Sequence, residues 1–141
     1  MSKTKEKIRS FAKKNGVTIR EPEDNLWLMV VESTVVVIKF STLKTTKKQM
    51  VSFSSIVVVG CRVDSTLMNN LLKRNSEMEF GAFCLDGDNS ILYTYSVFGG
   101  QHIDEDIFLR VLAMVAVVAK KYSKEIISTH GGKTSLDFVQ D

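Results

Sequence analysis

Between residues 26 and 62 the chain carries three successive runs, 26–33, 34–42 and 50–62, loaded with Val, Ile, Phe and Thr. Such side chains lose little on a pleated surface, so the runs are read as antiparallel strands. The connection 43–49 places Lys44, Lys47 and Lys48 at a hairpin tip, where like charges stay hydrated. Within the third run Phe53, Ser55, Val57 and Val59 share one face, and Ser52, Ser54, Ile56 and Val58 share the other. One face is polar at one end only, so part of this sheet is expected to be covered on both sides.

Helical patterns frame the runs. Residues 4–15 place Ile8, Phe11 and Ala12 on one narrow face and stop at Gly16. The acidic, polar stretch 17–24 holds the one proline, Pro22, and is read as a turn. A second helix is expected from an Asp64 or Ser65 cap to about Asn75, with Leu67, Met68, Leu71 and Leu72 as its apolar stripe. Two further strands, 78–85 and 90–98, flank Asp86-Gly87-Asp88-Asn89, a hairpin turn by composition. The last helix starts at the Asp104 cap, with Ile103 and Phe108 placed as a hydrophobic staple, and is expected to end near Lys124.

The core stripe of that helix is expected to be Ile107, Val111, Met114, Val115, Val118 and Tyr122, with Phe108, Leu112, Ala116 and Ala119 as a second. A helix apolar on most sides is deeply buried or covered by a second subunit. The order helix, three strands, helix, two strands, helix defines an α+β fold, an antiparallel sheet of about five strands with helices packed on it. Residues 1–125 are expected to form one domain and 126–141 a flexible tail, with a short ordered piece at 136–139.

A chain of 141 residues buries roughly 70% of its unfolded surface in one core. The longest apolar runs, 26–31, 34–38 and 111–119, fall well short of the roughly 20 residues that cross a bilayer as a helix. The lysine-studded start has no apolar leader pattern, so a cytoplasmic protein is expected, with no membrane partner. Cys61 and Cys84 fit neither a disulfide framework nor zinc spacing and are read as small hydrophobes in buried strands. Charge is uneven: residues 1–50 hold 11 Lys and Arg against 5 Asp and Glu, and residues 51–141 hold 8 against 11.

No catalytic, metal or cofactor set emerges. His130-Gly131-Gly132-Lys133-Thr134-Ser135 follows a helix and lacks the earlier glycine of a phosphate-binding loop, which would fall at Ile127. Residues 86–89 lack the spaced ligands of a calcium loop. His102, beside Gly99-Gly100, has no identifiable nucleophile with an orienting acid. The pairs Glu77 with Glu79 and Asp104 with Asp106 are accounted for as strand-edge and helix-start charges. Two binding features remain. The basic N-terminal third, from Lys3 to Lys14 with the 44–48 tip, suits phosphates if the fold joins its two clusters. Trp27, Met29 and Phe40 would suit peptide recognition if they form an exposed strip, against a core role for each.

Leu71-Leu72-x-x-Asn75, Phe80-Gly81-Ala82-Phe83-x-Leu85-Asp86, an aromatic strand, an acidic cap and a long apolar helix follow one another over 67–126. This succession resembles the YbjN-like family, which shares the type III secretion chaperone-like fold. The resemblance implies a compact α+β domain that often pairs with itself and presents sheet and helix surfaces to protein segments. The basic first helix, the lysine-rich tip and the glycine-containing tail depart from it. The expectation is a non-enzymatic protein-binding module, chaperone-like or regulatory, that forms a homodimer through its second or third helix. The alternative is nucleic-acid association through the basic third.

Overall fold

A computed structural model describes residues 1–134. Helix α1 (Ser2–Lys14) is followed by strands β1 (Ile19–Glu23), β2 (Leu26–Val31), β3 (Thr34–Thr42) and β4 (Gln49–Val58). Then come α2 (Ser65–Glu77), β5 (Ala82–Leu85), β6 (Ile91–Phe98), a 3-10 turn (Gly100–His102) and α3 (Glu105–His130). The strands form one sheet in the order β1-β2-β3-β4-β6-β5, antiparallel at every junction. The fold is α+β as expected, with six strands in place of about five.

The additional strand is β1, in the stretch read as a turn around Pro22. Proline cannot donate to a ladder, but β1 is an edge strand, and its register with β2 slips between Arg20 and Glu23, where the missing N–H costs nothing. The last helix also runs further than Lys124. Ile126 is buried against the core, and the helix stops at Gly131, whose φ of +73° no other residue adopts as cheaply; its N–H donates to Ile127 O at 2.9 Å. Lys133 then pairs with Val59 through backbone bonds of 2.8 and 2.9 Å, so 126–133 are held against the end of β4. The ordered piece expected at 136–139 lies outside the described residues.

Local signals elsewhere act as the residue types dictate. Asp64 and Asp104 cap α2 and α3, accepting from Leu67 N–H at 2.9 Å and Ile107 N–H at 2.8 Å. Ile103 and Phe108 are fully buried beside the second cap. Asp86 Oδ1 accepts from Asp88 N–H and Ser90 N–H, which closes the β5–β6 turn.

All three helices pack on one face of the sheet. Strand register puts Trp27, Ile38, Phe53 and Tyr95 in one row across that face, with Met29, Val36, Ser55 and Tyr93 in the next. Helix α3 lies over the middle, where Phe108 meets Phe53 at 6.0 Å and, from α1, Phe11 at 5.9 Å. Helix α2 covers the β5 side, and Phe83 is gripped between Tyr93 and Tyr122. The opposite face carries no helix among the described residues. Its centre is a ladder of hydroxyls, Ser52 with Ser96 and Ser54 with Thr94, both at 2.9 Å, flanked by half-buried aliphatics such as Leu28, Val37 and Ile56. The serines expected to mark one polar end do so; the double cover expected there is not formed among the described residues.

Candidate functional site

A sheet has two long edges, and each exposes backbone groups that must be satisfied or kept from pairing with a foreign strand. On the β1 side the chain closes its edge with Pro22 and a row of charges, Arg20, Glu21 and Glu23. Arg9 of α1 reaches across this edge and holds Glu21 through two hydrogen bonds, 2.8 and 3.1 Å, while its guanidinium lies 4.6 Å from the Trp27 ring. The paired guanidinium holds the Glu21 carboxyl below the usual carboxylate range, and Glu21 in turn raises Arg9.

The β5 edge is closed by one side chain. Asn75 donates from Nδ2 to Phe83 O at 3.1 Å and accepts at Oδ1 from Phe83 N–H at 2.7 Å, taking both outward backbone groups at the middle of this short strand. This gives the asparagine of the Asn-x-x-x-x-Phe-Gly-x-Phe pattern its physical task.

Beyond β5 the protection stops. Strand β5 pairs with β6 only from Ile91 to Thr94, although β6 continues to Phe98. The cause is Gly81. Its φ is +65°, and a Cβ there would lie 2.6 Å from Tyr93 Oη and 2.7 Å from Thr94 O. Only glycine lets the chain turn away so tightly, which ends the ladder at Thr94. Because Phe83 turns its groups to Asn75, its partner Tyr93 turns inward to β4, and the alternation of an antiparallel ladder then points Ser96 and Phe98 outward. Gly99 N–H, bonded to Gln49 O at 2.9 Å, fits the same alternation. Residues 95–98 of β6 are thus a sheet edge with no partner strand among the described residues.

Beside this edge runs an open groove of about 780 Å³ between β6 and the first half of α3. Phe80, Tyr95, Val97 and Phe98 line one wall, and Ile107, Val111 and Met114 line the other. Phe80 is set against Tyr95 with ring centroids 6.0 Å apart, and Tyr93 Oη donates to Phe80 O. Phe80 remains 47% exposed and Phe98 49%. The one charged side chain of the lining, Arg110, is held by Asp106 at 2.9 Å.

At its Phe98 end the groove meets a basic depression. Thr4 of α1 donates to Gln49 Oε1 at 2.6 Å and accepts from Gly100 N–H at 2.8 Å, so the start of α1 lands on the end of the β3–β4 hairpin. Lys7 donates to Gly100 O at 2.8 Å and Ile103 O at 3.2 Å. Lys47 and Lys48 border the same loop, and Phe98 and His102 line both concavities. Of the first basic cluster Lys7 therefore shares a loop with Lys47 and Lys48, while Lys5, Arg9 and Lys14 are engaged elsewhere.

The other sequence candidates fall elsewhere. Trp27, Met29 and Phe40 are 0%, 1% and 4% exposed. They form no surface strip: Arg9 of α1 covers Trp27, Lys5 sits 5.4 Å from the Phe40 ring, and Met29 is buried in the same core. Their outward neighbours on β2, Leu28 and Val30, belong to the uncovered face. His102 stands at the groove mouth, 6.0 Å from the Phe98 ring, and His130 contacts Asp64 at 3.1 Å. Asp104 and Asp106 are occupied as cap and ion-pair partner. Cys84 is exposed on β5, not buried as expected, and Cys61 lies past the end of β4; partial burial raises both thiols. Among the described residues no group of three or more His, Cys, Asp or Glu converges, and no helix is long and apolar enough to cross a membrane. Met68, Leu72 and Leu85 form an exposed apolar patch on α2 and β5, with Leu72 65% exposed.

Residues 11–138 match the model of a family described as T3SS (YopN, CesT) and YbjN peptide-binding chaperone 1, and the chain belongs to that family. Among solved structures it is similar to YbjN from E. coli, at 14% identity and a TM-score of 0.53, over 86% of each chain. That likeness shows the fold. No curated protein matches the sequence.

Proposed function

We propose that this protein is a binding module without catalysis, which takes an extended segment of a protein partner as an added strand along residues 95–98 of β6. Family membership supports a peptide-binding role. The observation that carries the location is the contrast in protection: β1 is blunted by proline and charge, Asn75 occupies the backbone groups of Phe83 on β5, and among the described residues 95–98 of β6 form the longer unpaired edge, beside an apolar groove. Main-chain bonds would supply affinity, and alternate side chains entering the groove would supply selectivity.

A proline at position 96 tests this directly. Ser96 N–H points out of the sheet, so Ser96→Pro removes the donor a guest strand needs and costs the fold little. Peptides selected by display against the purified protein should lose binding to the variant while its melting temperature changes by a few degrees at most. Undiminished binding would move the site elsewhere.

The exposed patch of Met68, Leu72 and Leu85 supports a homodimer through α2. Light scattering at tens of micromolar, with Leu72→Glu as control, reads this out: a dimer that the substitution dissociates is expected. The convergence of Lys7, Lys47 and Lys48 favours a second reading, nucleic-acid association, which predicts a steep loss of affinity between low and moderate salt.

A further inference from the structure

Resting on the strand-addition reading, we infer that the segment bound along β6 carries acidic residues at the end that runs past Phe98. The argument is one of charge placement. The groove wall offers a guest no free charge, since Arg110 is already held by Asp106. Past Phe98 the surroundings change within one residue to the loop 99–102, bordered by Lys47 and Lys48 and tied to Lys7. Lys3 lies one turn before Lys7 on the same helix. None of these lysines has a carboxylate within ion-pairing distance among the described residues. Lys48 precedes β4, which lies two strand spacings, roughly 9–10 Å, from a guest strand on β6, about one screening length at moderate ionic strength. An apolar strand with an acidic end is complementary to both halves of the site; one with a basic end is repelled by the second half.

Synthetic peptides with one alternating Ile/Thr core test the inference. One carries an aspartate block at its N-terminus, one the same block at its C-terminus, one a lysine block at each end, and one serines throughout. At low salt one aspartate peptide should bind about fivefold more tightly than the serine peptide, the size expected of a few exposed ion pairs. Moderate salt should erase the difference. The double variant Lys47→Glu, Lys48→Glu should reverse the preference towards the lysine peptide. Binding of all core peptides that Ser96→Pro abolishes, with no preference for acid at either end, would overturn the inference and leave strand addition standing. Three outcomes would overturn both readings: no peptide binding, self-association through β6 that Ser96→Pro abolishes, or single-stranded DNA held by the lysines with no response to Ser96→Pro.

Discussion

The two ends of the sheet solve the same problem in opposite ways. At β1 the edge is armoured with a proline, alternating charges and the Arg9–Glu21 clasp anchored on Trp27. At the β6 end the outermost strand is short, its edge is plugged by Asn75, and the rest of β6 is left bare next to an apolar groove. Exposed edges invite pairing with other chains, and on the proposed reading this opening is where a partner segment pairs. Gly81 sets the boundary, because it steers the chain off β6 at the point where protection ceases.

The largest effect should come from adjacent prolines on β6. Val97 points its N–H to β4, so Val97→Pro removes an internal ladder bond and should destabilise the protein by about 3 kcal/mol or more, measured by chemical denaturation, whereas Ser96→Pro should leave it folded. Equal losses would break the assignment of inward and outward groups. Next, Asn75→Ala strips both partners from Phe83 and should cost about 2 kcal/mol, with added self-association on sizing columns as a second edge opens. Arg9→Ala should lower the melting temperature slightly through its lost packing on Trp27, with peptide affinity unchanged because the edge it guards is not the proposed one. Acidification should have the smallest effect. Glu21 has a folded pKa below its unfolded value, so its contribution is present above the unfolded value and is lost as pH falls through the folded one. Acid titration of Glu21→Gln should lack that small loss of stability.

Much of the fold was legible because it rests on short-range chemistry. The Asp64 and Asp104 caps and the Asp86 turn need no knowledge of distant residues, whereas of the two apolar stripes of α3 the structure buries Phe108, Leu112, Ala116 and Ala119 and leaves Ile107, Met114, Val118 and Tyr122 of the expected core stripe half-buried. Strand β1 was hidden because proline and charge, which disfavour a central strand, are what an edge requires, and position in the sheet is not written locally. Trp27 and Phe40 gave no sign of the helix that covers them, since α1 lies over them through Lys5 and Arg9, residues that read as solvent-facing. The open edge left a faint trace. Runs 78–85 and 90–98 look equal in length, and only Gly81 marks where the first stops pairing.

Backbone hydrogen exchange on the complex with a bound peptide tests the central claim most directly. In the free protein the amides of Ser96 and Phe98 should exchange quickly while those of Tyr95 and Val97, bonded to β4, exchange slowly. Binding should slow Ser96 and Phe98 and leave the β1 edge unchanged. Protection that appears instead along β1, or on the uncovered face around Leu28 and Ile56, would contradict the account.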